Sequence, residues 1–155
     1  NSAMNGQVLR YVLVKSQETV KKLQPYFHFA AALPKELGQP KEGEQPTAFI
    51  ILCTEGPETP WTGIDIGIAV RTMNLNAYIH GVGSCIIGNV EFEKVKEILS
   101  IPETWIPRLA LALGYPSHKS TIVELPEDGS VKYYLDEERQ YYVPKRKRKD
   151  ISIIR

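Results

Sequence analysis

No run of apolar residues in this chain approaches the roughly 20 needed to cross a bilayer, and the first residues carry no charged-then-apolar export signal. Charge of one sign is also lacking. Nineteen Lys and Arg against eighteen Asp and Glu leave a net charge of +1, which argues against a dominant nucleic-acid or acidic-membrane surface. Only two cysteines occur, Cys53 and Cys85, too far apart for a Cys-x-x-Cys site, and two thiols in such a chain point to a reducing, cytoplasmic compartment. His28, His80 and His118 are scattered, none with ligand spacing to a Cys or carboxylate, so no metal site is expected and no side chain stands out as catalytic.

What is there suits an ordinary globular fold. With 155 residues, 43% hydrophobic and 24% charged, the chain is long enough for one domain without a disulfide or metal staple. Asn1, Ser2 and Ala3, ahead of Met4, read as an expression-tag remnant, leaving 4–155 as a single domain.

The β-branched and aromatic run VLRYVLV (Val8 to Val14) reads as a strand, followed by a short helix before Pro25 with Ser16 as its N-cap. The Pro- and Gly-rich, charged segment from Pro34 to Pro46 reads as a surface loop or lid. TAFIILCT (Thr47 to Thr54) and RLALALGY (Arg108 to Tyr115) are continuous apolar runs, as expected of central strands covered on both faces. Between them, Ile64 to His80 is apolar nearly all the way round, which predicts a helix buried on most sides at the domain centre or at a subunit interface. Gly67 inside it predicts close approach of another backbone, Arg71 a carboxylate partner at an interface, and Gly81 a left-handed helix end. Glu91 to Ser100 has helical spacing with Asn89 as its cap, and VKYYL and QYYV flank DEER as a hairpin or an extended arm.

The stretch GVGSCIIGNV (Gly81 to Val90) has three glycines and no charged side chain. By itself it reads as a helix cap plus a tight turn; the alternative is a backbone shaped to lie against a flat ligand. Near the other end, PKRKRK reads as a solvated basic tail, a phosphate-binding pair or a nucleic-acid patch.

The ordered series DIGIAVRTMNLNAYIHGVGSCIIGNV, VKEILSIPETWIPRLALALGYP and YYVPKRK resembles the nitroreductase family of flavin mononucleotide enzymes. The resemblance covers roughly Asn5 to Lys147 and rests on order and spacing. It implies an α+β fold with a central, mainly antiparallel sheet flanked by helices and an extended C-terminal arm. It implies that the backbone around Ile86, Ile87 and Gly88 lies against the flavin ring, that Asn5 and Gln7 reach the ribityl chain or ring edge, and that Lys145 and Arg146 bind the phosphate. It also implies a homodimer with the flavin at the subunit interface, NAD(P)H as reductant, and a nitroaromatic, quinone or similar acceptor in a ping-pong scheme, without nucleic acid or membrane as partner. Asn5-Gly6-Gln7-Val8 matches only the end of the family's first stretch, with Val8 where Pro is usual, so truncation at the N-terminus is expected. The alternatives are a catalytically inert scaffold that binds a ligand or partner protein and, from the basic tail, a nucleic-acid-binding module.

Overall fold

The structure is a computed structural model that describes residues 2–155, apart from the Lys35 side chain; Asn1 of the anticipated tag remnant lies outside the described residues. In chain order its elements are β1 (Leu9–Val14), α1 (Gln17–Leu23), α2 (Lys35–Gly38), β2 (Ala48–Thr54), α3 (Thr62–Ile79), β3 (Gly83–Ile87), α4 (Phe92–Leu99), β4 (Ile106–Gly114), β5 (Ser120–Glu124), β6 (Tyr134–Leu135), β7 (Tyr141–Lys145) and α5 (Arg148–Ile151). They fall into two compact units. The first holds residues up to Phe29 and Gln39–Tyr115; the second holds Ala30–Gly38 and Pro116–Arg155.

The first unit is built on an antiparallel sheet in the order β1-β2-β4-β3. The two continuous apolar runs form its central strands, β2 and β4, because only a strand covered on both faces can bury every side chain. Alternation divides their side chains between two layers. Phe49, Ile51, Cys53, Ala110 and Ala112 join Val14, Ile87 and the α1 and α4 residues Val20, Leu23 and Val95 in one cluster. Leu52 and Leu111 meet Ile66 and Val70 of α3 in the other. Phe49, Ile51 and Leu52 are fully buried, each contributing about 1.5–3 kcal/mol relative to an exposed side chain.

Pro107 lacks the N–H that a ladder requires, and the β2–β4 register slips there, Leu52 facing Leu109 but Cys53 facing Pro107. The skipped residue, Arg108, turns its guanidinium to the Thr54 hydroxyl at 3.0 Å and into an ion pair with Glu58. Ser16 caps α1 as expected, accepting from the Thr19 amide. The α4 cap position is Glu91 rather than Asn89 and makes no side-chain cap bond; the Asn89 carbonyl instead accepts from the His28 amide at 3.0 Å.

The second unit holds a three-stranded sheet, β5-β7-β6. The anticipated hairpin around DEER is β6 and β7, with Tyr134 opposite Tyr142 and their rings stacked at 5.2 Å. Asp136 shapes its turn: one carboxylate oxygen accepts from the Glu138 and Gln140 amides, the other from the Tyr142 hydroxyl.

Candidate functional site

The charge-free stretch begins as a helix end. Gly81 has φ +72°, its amide donates to the Tyr78 carbonyl, and the Val82 amide donates to the Ala77 carbonyl, the paired bonds of a Schellman motif. Beyond Val82 the structure departs from the expected turn. Gly83–Ile87 is a strand, registered on β4 from Gly83 opposite Gly114 to Ile87 opposite Ala110. The open edge of β4 and the β-branched Ile86 and Ile87 outweigh the glycines' preference for a turn.

The reversal comes one step later, at Gly88 and Asn89, and is held from behind. Phe27 bridges to Val90, the Glu91 amide donates to the Tyr26 carbonyl at 3.0 Å, and His28 Nε2 lies 3.3 Å from a Glu91 carboxylate oxygen. Phe27 in turn stacks on Phe49 of β2, with ring centroids 4.2 Å apart. A buried aromatic pair thus fixes where the bend sits.

Of the three bend residues, Ile87 is buried and anchors the strand in the core, whereas Ile86 is 45% exposed and Gly88 is open on the side a Cβ would occupy. Cys85 and Asn89 are exposed as well. Because β3 ends the sheet, every second N–H and C=O along it is turned away from the ladder. The site therefore offers main-chain donors and apolar surface without side-chain charge.

Alongside lies α3. Thr62, Asp65, Ile66 and Val70 are its buried residues, whereas Ile64, Ile68, Leu75, Tyr78 and Ile79 are exposed, so the expectation of burial on most sides is met on one side only within this chain. Among the described residues nothing stands within 4 Å of a Cβ built on Gly67, so the close backbone approach expected there is not made within this chain. Arg71 finds no carboxylate among the described residues; its Nη1 donates to Asn74 Oδ1 at 2.5 Å, and Asn74 Nδ2 donates to Ser84 Oγ at 2.7 Å. That chain ties α3 to β3, and only the Arg71–Asn74 spacing could have hinted at it.

Asn5 and Gln7 are exposed, both with positive φ (56° and 52°), and precede β1, the edge strand opposite β3. Three strand spacings, roughly 14 Å, separate the two edges, so one sheet does not bring these residues beside Ile86–Gly88. Their segment is held by Arg10, which donates to the Gln7 carbonyl at 2.8 Å and pairs with Glu55, and by Asp65, whose carboxylate accepts the Ala3 amide. Hydrogen bonding from Thr104, together with the Arg10 charge, holds the Glu55 carboxyl below its usual range.

Lys145 ends β7 and Arg146 follows it, both exposed and both in the second unit. Glu124 lies opposite Lys145 in the β5–β7 register and pairs with Lys147 at 2.9 Å, so part of the basic run has an internal counter-charge. Among the described residues, no His, Cys, Asp and Glu group could hold a metal ion, and no helix is long and apolar enough to cross a membrane.

Comparison with known proteins fits this architecture. An FMN reductase (NADPH) of Bacillus subtilis is 31% identical over 111 residues, covering 70% of this chain and 44% of the relative. Among solved structures, a hypothetical oxidoreductase of Bacillus subtilis superposes with a TM-score of 0.60 at 22% identity, covering 89% of this chain and 62% of that one. The NADPH:FMN oxidoreductase of Vibrio harveyi, complexed with NAD+, gives 0.56 at 22% identity, covering 76% and 54%. The chain thus spans less than two thirds of each of these proteins. A sequence model of the Nitroreductase family matches residues 2–115, the sheet, α3 and the bend included, and the chain belongs to that family.

Proposed function

We propose that this chain forms the flavin mononucleotide-binding body of a homodimeric, NAD(P)H-dependent oxidoreductase that reduces nitroaromatics, quinones or similar electron-poor acceptors. The observation that carries the reading is the exposed, charge-free edge formed by Ile86 and Gly88, held in place by the Phe27–Val90 bridge. A flat, partly apolar heterocycle fits such an edge: Ile86 supplies apolar contact, the open Gly88 admits close approach, and outward main-chain N–H groups can donate to ring nitrogens and carbonyls.

In this reading Lys145 and Arg146 bind the phosphate, Arg146 bidentately and Lys145 as a compact charge. Asn5 and Gln7 address the ribityl chain or ring edge. Their place at the opposite edge of the sheet suits a site shared between two copies, the bend of one meeting the N-terminal segment of the other. The exposed apolar face of α3, with Ile64, Ile68, Leu75 and Ile79, gives such a dimer surface to bury.

Bound flavin would supply the redox chemistry, taking hydride from the nicotinamide and giving electrons to the acceptor in a second half-reaction at the same face. The chain's own residues bind, orient and shield the ring, and no side-chain acid or base is assigned. The test is dialysis of purified protein loaded with flavin mononucleotide. Retained yellow absorbance, bleached by NAD(P)H and restored by a quinone, supports the proposal. Protein that stays colourless with excess flavin mononucleotide refutes it.

A further inference from the structure

The bonds between α3 and β3 have a fixed direction. Arg71 can only donate, so the oxygen of the Asn74 amide faces it, at 2.5 Å, and the amide nitrogen is left to face Ser84, at 2.7 Å. That nitrogen also can only donate. Ser84 Oγ is therefore the acceptor of this bond, and its own proton must point elsewhere. Among the described residues it has no acceptor, and Ser84 is only half-buried, on the edge strand two positions before the exposed Ile86.

We infer that the Arg71–Asn74–Ser84 chain sets Ser84 as an outward hydrogen-bond donor at the β3 edge, presented to a carbonyl oxygen of the planar heterocycle bound there. This rests on the flavin reading above and adds to it a residue that addresses the ring, independent of the phosphate. Ser84 is the contacting group, and Arg71 and Asn74 are positioning residues that act through it.

Asn74→Asp separates this role from a structural one. A carboxylate accepts from both neighbours, so it keeps Arg71 as a partner while drawing the Ser84 proton inward. The chain and its Asn74→Asp and Ser84→Ala variants would be titrated with flavin mononucleotide and, separately, with riboflavin, which lacks the phosphate. Both variants should weaken both ligands by the same factor, roughly 3- to 10-fold, the size of one net hydrogen bond. The Tm of Asn74→Asp should be equal to or above that of the parent. Unchanged affinity in either variant, or weaker binding only alongside a lowered Tm, would overturn the inference and leave the flavin reading standing. A parent chain that binds neither ligand would overturn both.

Discussion

Replacing Phe27 by Ala tests the support of the candidate site directly. Phe27 is 1% exposed, its ring lies 4.2 Å from that of Phe49 at an interplanar angle of 20°, and its backbone bridges to Val90 just after the bend. Truncating a fully buried Phe costs about 3–5 kcal/mol, of which loss of the aromatic pair accounts for roughly 0.5–1.5. For a chain of 155 residues, each kcal/mol moves the Tm by about 2–4 °C, so Phe27→Ala should lower it by about 6–20 °C. Trp105 packs against the same cluster, and its fluorescence reports the transition. The location of the effect matters as much as its size. Amide exchange should accelerate at Val90 and Glu91, whose N–H groups are bonded in the bend, more than at the central β2–β4 ladder. Phe27→Leu, which keeps most of the buried area, should lose clearly less. A Tm within about 3 °C of the parent for Phe27→Ala, or unchanged exchange across 88–91, would show that the bend does not depend on this ring.

Gly67→Ala should raise the Tm by about 2–4 °C in dilute solution, since the added methyl meets nothing within 4 Å and helix propensity gains about 1 kcal/mol; a fall would mean that a backbone does approach there. The Glu55 carboxyl, held low by Thr104 and Arg10, gives stability that is present above its unfolded value of 4.5 and lost as pH falls through the lower folded value. Thr104→Val should therefore flatten the fall in Tm between about pH 7 and about pH 3, and an identical profile would remove that role. Burial raises the Cys53 thiol to about 11, leaving roughly one thiolate in a thousand at about pH 8. A native chain should then react with a disulfide reagent at Cys85 alone, and rapid labelling of both thiols would contradict the packing.

The sequence was most legible where a single pattern had a single physical solution. Continuous apolar runs made β2 and β4 recognisable, because a segment apolar at every position must be covered on both faces. Gly81 could be placed at the end of α3, because a positive φ there favours glycine. The strand at Gly83–Ile87 was hidden for the converse reason: its glycines favour a turn locally, and it forms only because β4 leaves an edge to pair with. Asn89 was a reasonable cap by residue type, but its carbonyl is committed to His28, a contact that no local window contains. In the second unit the β6–β7 hairpin was visible from its flanking tyrosines. The parallel pairing of β5 with β7 was not, since parallel partners are joined through long connections that leave no short-range mark. Of the Arg71–Asn74–Ser84 chain only the first link had a helical spacing to read; the second spans the helix end and depends on where β3 pairs.

The remaining gap between sequence and structure concerns α3, and it bears on function. An apolar pattern reports how much surface a helix must hide, not what hides it. The sheet takes Ile66 and Val70, while Ile64, Ile68, Leu75 and Ile79 remain about half or more exposed in a single chain. Leaving these side chains in water forgoes part of the 1.5–3 kcal/mol that each would contribute on full burial. The same helix borders the strand that carries the proposed flavin edge, so whatever covers its outer face would also wall that edge. A second copy would do both at once, which ties two proposals to one surface: Ile68→Glu should break the dimer and weaken flavin retention together, whereas a variant that dissociates yet keeps its flavin would separate them.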